Sequence, residues 1–178
     1  MPLRTMKVVL SPDPMLREIC EPCEPGDPSL KKISKKMAAT MYKNAGCGLA
    51  APQVGILKRF VVVDCNDPED DPDPIFLVNP EIIALEGDEV TDLEGCLSLP
   101  GISVPVKRKP FARVSYYDLD GNKCEIEGDG LLGRCLQHEI DHLDGKTLFE
   151  ACSPKDRIVA LKAYQEALKA GAKPGQVG

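Results

Sequence analysis

Apolar residues recur at helical spacing in three stretches of the chain and in short alternating or β-branched runs between them. Asp27-Pro28 has the form of a helix start, with Asp as cap and Pro in the first turn, and Leu30, Ile33, Met37 and Met41 follow as one apolar stripe. Gly130 to Leu143 carries a second apolar helical face. Ser153-Pro154 opens a third helix, in which Ile158, Leu161 and Leu168 are expected to form the buried side. Strands are expected at Lys7 to Leu10, Phe60 to Val63, Ile75 to Val78 and Glu81 to Leu85. Arg113 to Tyr117 and Lys123 to Glu127 flank Asp120-Gly121, which signals a hairpin. The small-residue segment Gly46 to Gln53 is expected as a loop that something approaches closely, and the acidic, proline-rich Asn66 to Pro74 as a solvated loop. Strands in succession ahead of the second helix predict an α+β fold, with antiparallel β-sheets around that helix and a helix near the C-terminus. The expected organisation is a single domain over residues 1–170 and a flexible tail over 171–178.

Composition narrows the class. The chain has 178 residues, 43% of them hydrophobic and 28% charged, which suits one globular domain with a real core. No apolar run approaches the roughly 20 residues needed to span a bilayer, and Met1 to Leu10 lacks the apolar centre of a secretory signal, so a cytoplasmic location without membrane attachment is expected. A net charge of −6 argues against broad nucleic-acid binding. Eight cysteines without a secretory signal favour reduced thiols or a metal ligand over disulfides. Cys20-Glu21-Pro22-Cys23 has a C-x-x-C spacing, but a zinc site there would need a second ligand pair.

Only two histidines exist, and both fall in His138-Glu139-Ile140-Asp141-His142, an H-E-x-x-H sequence within the second helix. Residues four apart share a helix face and rise about 6 Å, so both imidazoles can reach one ion while Glu139 stands ready to take a proton from water. A catalytic site needs a third ligand and an open position. Leu148 stands where a third histidine of the extended motif would fall, which leaves carboxylates and cysteines. Cys135 lies seven residues from His142, about 10 Å along the axis, too far to share the ion. Cys96 is the stronger choice, since Gly95 permits a tight approach before the chain turns at Leu97-Ser98-Leu99-Pro100, although spacing alone does not settle it.

Three segments together resemble the peptide deformylase family. They are Gly46-Cys47-Gly48-Leu49-Ala50-Ala51-Pro52-Gln53, Glu94-Gly95-Cys96-Leu97-Ser98 and Gln137-His138-Glu139-Ile140-Asp141-His142-Leu143-Asp144-Gly145, in family order within a resemblance that spans roughly Met6 to Phe149. The resemblance implies Cys96, His138 and His142 as ligands of one divalent metal ion, Fe2+ in the cell, with Zn2+, Ni2+ or Co2+ able to occupy the same site. It implies removal of the formyl group from the N-terminal methionine of newly made bacterial polypeptides, with release of formate. Glu139 would act as acid/base, and Gln53 with the backbone N–H of Leu97 would stabilise the oxyanion. Gly48 would give backbone hydrogen bonds to the substrate chain. A partly apolar pocket at Cys47, Leu131 and Cys135 would take the methionine side chain, and Gly46, Gly48 and Ala50 would line a gap narrow enough for a formyl group. Glu94 and Arg108 could pair to fix the cysteine turn, or form a salt bridge of little consequence. Ser103 stands where some members carry an arginine that holds the peptide backbone, which puts affinity for longer peptides in doubt.

The partner implied is the N-formylmethionyl nascent peptide. In some members the C-terminal helix touches the ribosome; here Lys155, Arg157, Lys162 and Lys169 could serve that contact or simply form a solvated face. Two other functions share part of the pattern. A zincin-type peptidase would take its third ligand downstream of the motif, and a non-enzymatic metal or thiol module would be built on Cys20 and Cys23.

Overall fold

The computed structural model describes residues 3–178, so Met1 and Pro2 of the expected domain lie outside the described residues. A short 3-10 helix, Pro14–Arg17, precedes α1 (Pro28–Lys43), whose Asp27 side chain accepts a hydrogen bond from the Ser29 N–H as a cap. The strands are β1 (Gly48–Ala50), β2 (Phe60–Val63), β3 (Ile75–Glu86), β4 (Val90–Glu94), β5 (Val104–Arg108), β6 (Phe111–Tyr117) and β7 (Lys123–Gly128). Helices α2 (Gly130–Leu143), α3 (Leu148–Ala151) and α4 (Pro154–Lys169) complete the chain. All strand pairs are antiparallel: five strands run in the order β1-β2-β3-β6-β7, and β4 pairs with β5 in a separate sheet.

The period-two alternation of strand side chains explains why two helices can share the larger sheet. Phe60 and Val62 of β2, with Leu49 and Val78, pack on Leu30, Met37 and Met41 of α1. Val61 and Val63, with Ala50, Leu77 and Val114, pack on Leu136, Ile140 and Leu143 of α2. Both faces of β2 are therefore covered, which is why Phe60-Val61-Val62-Val63 is a continuous apolar run rather than an alternating one. A third cluster joins Val104 and Val106 of β5 to Leu148, Phe149, Ala160 and Tyr164. Helix α2 thus lies between the large sheet and the β4–β5 pair, an α+β arrangement of antiparallel sheets around the motif helix.

Four expectations are corrected. Gly46 to Gln53 is not a loop throughout: Gly48–Ala50 forms β1 against β2, and Ala51–Val54 is a 3-10 helix. Small residues carry no strand signal of their own, and the partner strand supplies the pairing. Lys7 to Leu10 is not a strand; the Val9 N–H bonds the Gln53 carbonyl and the Ser11 N–H bonds that of Ser98, single tethers rather than a ladder. The two strands expected over Ile75 to Leu85 are one. Asn79, at φ 51°, absorbs an extra residue before Pro80, so the pairing to β6 shifts between Val78 and Glu81, and it shifts once more between Ile82 and Ala84. Its side chain fixes the bulge, accepting from the Cys23 N–H and donating to the Cys23 carbonyl. Finally, α4 buries Ala160 and Tyr164, while Ile158 is 72% exposed and Leu161 and Leu168 also face solvent. The Tyr164 hydroxyl, which donates to the Ser11 carbonyl at 2.7 Å, fixes which face turns inward.

The last residues fold back over the β4–β5 layer. The Gly101 N–H bonds the Gln176 carbonyl at 2.8 Å, and the Ser103 hydroxyl donates to the Gly178 carbonyl at 3.4 Å. No helix among the described residues is long and apolar enough to cross a membrane.

Candidate metal centre and active-site cleft

Helix α2 places His138 and His142 one turn apart on the face turned toward the end of β4, with ring centroids 5.1 Å apart. The chain leaves β4 at Glu94, and two residues on, Cys96 meets them. The Cys96 sulfur lies 3.4 Å from His142 Nε2, and one donor atom from each of Cys96, His138 and His142 lies within 4.8 Å of the other two. Donors bound 2.0–2.3 Å from a shared tetrahedral ion stand about 3.3–3.8 Å apart, so small adjustments would close this group around a cation. Cys135 is not part of it, as the helical rise requires.

The electrostatics fit a cation. Burial alone would drive the proton from His138, but hydrogen bonds to Cys96 and Glu94 outweigh it and hold its pKa well above the ordinary value, so this point favours positive charge. His142 is 1% exposed, and burial holds its pKa well below the usual range, keeping it a neutral donor. Glu139 Oε2 and His142 Nδ1 are buried without a hydrogen-bond partner among the described residues.

A buried ionic network holds His138 in place. Glu94 Oε1 bonds His138 Nδ1 at 3.0 Å, which turns Nε2 toward the centre. Arg108 grips Glu94 with two hydrogen bonds, of 2.6 and 2.9 Å, and reaches Asp141 at 3.0 Å. Arg134 adds a 2.8 Å bond to Glu94 and binds the Val90 and Val106 carbonyls, tying α2 to both strands of the small sheet. Burial would raise the pKa of Glu94, yet the bonds from His138 and Arg108 pull it down to about 2. Glu94 and Arg108 do pair and are buried, so this is not an exposed surface bridge; the Glu94 carboxylate bonds His138 rather than the cysteine turn.

A cavity of about 490 Å³ opens over this centre. Gly46, Cys47, Gly48, Gln53, Cys96 and Leu97 line one side, and Leu131, Cys135, His138 and Glu139 line the other, so of the expected catalytic, metal-holding and substrate-binding residues only the deeper His142, and Ala50 of the expected gap, do not border it. The Gln53 amide is 1% exposed and held at both ends: its oxygen accepts from the Ala50 N–H at 2.9 Å, and its nitrogen donates to Ser98 Oγ at 3.1 Å and toward the Cys96 sulfur at 3.5 Å. Glu139 Oε1 stands 3.9 Å from His138 Nε2, and burial pushes its carboxyl up to about 7. A Cβ on Gly48 would lie 2.7 Å from the Cys135 sulfur and 2.8 Å from Glu139 Oε1, so only glycine leaves the gap open. Leu131 sits at the rim, 55% exposed.

Sequence reasoning missed Arg134, Asp141, Ser98 and the tail residues Gly175 to Val177, which also border the cavity. Arg134 had a readable signal, since it lies four residues before His138 on the same helix face. The Cys20 and Cys23 pair does not form a site: both are buried in different apolar clusters, and neither belongs to a metal-holding group among the described residues.

An H-E-x-x-H helix, a cysteine from an adjoining strand end and an enclosed cleft define a metallohydrolase-type arrangement. The family model for polypeptide deformylase matches residues 5–158. A peptide deformylase from Bartonella bacilliformis is 39% identical over 175 residues, covering 95% of each chain. The crystal structure of a peptide deformylase from Legionella pneumophila superposes with a TM-score of 0.87 at 40% identity, over 94% of this chain and 98% of that one. A peptide deformylase from Ehrlichia chaffeensis, crystallised in complex with actinonin, gives 0.84 at 36% identity, over 94% and 98%. The chain belongs to the polypeptide deformylase family and is an enzyme of that class.

Proposed function

We propose that the chain hydrolyses the formyl amide of N-terminal formylmethionine on newly made polypeptides in the cytoplasm, releasing formate. One divalent cation would be held by Cys96, His138 and His142. The observation that carries this reading is the convergence of those three donors with Glu139 and Gln53 on a single enclosed cleft.

When bound, the cation supplies Lewis acidity and lowers the pKa of water at neutral pH. Glu139, buried beside His138 Nε2, is placed to take the proton of the attacking water and to return it to the departing amine. Its raised pKa suits both halves of that task near neutrality. Gln53 Nε2 and the Leu97 N–H are the donors for the oxygen that gains charge; the Ala50 and Ser98 contacts hold the Gln53 amide in place, and its remaining N–H, aimed at the Cys96 sulfur, would turn to that oxygen. β1 is the outer strand of its sheet, so Gly48 offers a free backbone edge on which an extended peptide can align. Because even a Cβ on Gly48 would collide with Cys135 and Glu139, the gap beside it suits a one-carbon acyl group better than bulkier ones. Cys47, Leu131 and Cys135 border the space for the methionine side chain.

A mixed nitrogen and sulfur donor set accepts Fe2+, Co2+, Ni2+ and Zn2+, so supply rather than affinity decides loading, and Fe2+ is the proposed ion in the cell. The basic residues Lys155, Lys162 and Lys169, exposed on α4, support a ribosomal contact for the same helix. Formate release from formylmethionyl peptide tests the reaction: it is expected to exceed release from formylated peptides with a small first residue, and acetylmethionyl peptide is expected to be inert. Absence of formate from formylmethionyl peptide in the metal-loaded enzyme contradicts the proposal.

A further inference from the structure

At the rear wall of the cleft lies a second group of three donors, to which the deformylase reading gives no metal-binding role. Cys47 precedes β1, Cys65 follows β2, and Cys135 lies on α2, and their sulfurs all fall within 4.8 Å of one another. The antiparallel pairing of β1 with β2 brings the first two together, since Gly48 faces Val63 and the Asp64 N–H bonds the Cys47 carbonyl. The sulfurs of Cys47 and Cys135 are 3.9 Å apart. The Cys135 and Cys65 thiols both turn toward the Cys47 carbonyl, at 3.6 and 3.9 Å.

We propose that Cys47, Cys65 and Cys135 form a second metal site, a three-sulfur pocket for a soft, thiophilic cation. The distances fit one: thiolates about 2.3 Å from a common ion stand about 3.8–4.0 Å apart in tetrahedral or trigonal geometry, so the Cys47–Cys135 pair already has the required span. An all-sulfur set selects soft cations such as Cu+, Cd2+ or Zn2+ and rejects the oxygen-seeking Mg2+ and Ca2+. All three cysteines are free thiols, and Cys47 and Cys135 border the cavity, which gives an ion its way in, while Cys65 closes the rear. The donors come from three separate segments held by the sheet and by α2, so the site is preassembled by the fold. Binding forms three metal–sulfur bonds and passes each thiol proton still present to the buffer. If the space beside Cys47 and Cys135 takes methionine, as the deformylase reading holds, the bound ion fills it and blocks substrate.

The test adds Cd2+ to holoenzyme whose first site is loaded with nickel. The wild-type chain is expected to take up one further equivalent of cadmium with nickel retained, to show the sulfur-to-cadmium charge-transfer absorption of three bonds, and to lose formate release as cadmium binds. Cys65→Val removes one sulfur without touching the cavity wall. It is expected to keep basal activity, to bind the second ion at least about 100-fold more weakly, since even outer-shell losses cost ten- to a hundredfold, and to resist cadmium inhibition. Cys65→Ser, with a harder donor at the same position, should behave likewise. No further uptake by the wild type, uptake matched by nickel release, or undiminished affinity in both variants overturns the site. Basal formate release separates this from the function: cadmium uptake by a chain without basal activity upholds the three-sulfur site and rejects the deformylase reading, while basal activity without uptake does the reverse.

Discussion

Two three-donor groups flank Glu139, and they differ in what stands behind them. At Cys96, His138 and His142, the donors are steered by Glu94, which is itself held by Arg108 and Arg134. At Cys47, Cys65 and Cys135, no charged side chain among the described residues hydrogen-bonds any of the sulfurs; their partners are the cysteines themselves and a backbone carbonyl, within the apolar packing of α2 on the sheet. The first group carries a buried ionic framework that would be costly to assemble for packing alone. The second is assembled by strand pairing and core packing, with thiols in place of aliphatic side chains. Donor proximity alone therefore does not distinguish the two groups; the oriented hydrogen-bond partners behind Cys96, His138 and His142 do, and they favour that group as the proposed catalytic centre.

The largest expected effect lies at the residue between the two groups. Glu139→Gln keeps shape and metal but removes the base, so formate release should fall by about 10³-fold while metal content holds. A residual rate near wild type would assign the proton transfer elsewhere. Next is the framework itself. Glu94→Ala leaves the buried Arg108 and the half-buried Arg134 without their shared carboxylate, which should cost about 3 kcal/mol in denaturant unfolding and loosen the metal as well. A loss below about 1 kcal/mol would make the network a bystander.

Acid should reveal the same carboxylate. Its folded pKa, about 2, lies below its ordinary value of 4.5, so its contribution is complete above pH 4.5 and is lost as pH falls through about 2. The shift corresponds to about 3 kcal/mol, and the Glu94→Ala protein should show a correspondingly flatter stability profile over that window. Equal acid sensitivity of the two proteins would place the linkage on other groups. The smallest effect is expected in the second group: Cys65→Val replaces a half-buried thiol by a side chain of similar volume and should change stability by less than about 1 kcal/mol.

What the sequence disclosed follows the same division. The bounds of α2 and the cap of α1 were legible because periodicity and capping are local properties, and the H-E-x-x-H spacing fixes two donors on one face by helix geometry alone. Cys96 became identifiable through its flanking motif, since a contact from β4 to α2 has no periodic signature. β1 escaped notice because Gly48, Leu49 and Ala50 draw their strand character from β2. The face of α4 was misassigned because its larger apolar residues are exposed, while Ala160 and Tyr164 meet Phe149 and Ser11. The three-cysteine group could not be read at all, for it depends on the register of Gly48 against Val63.

The most direct measurement compares metal content and formate release in the wild-type chain and in Cys96→Ala. One divalent cation per wild-type chain, with both the ion and turnover lost in the variant, is the predicted result. A Cys96→Ala protein that retains a full equivalent of metal and normal formate release would contradict the account.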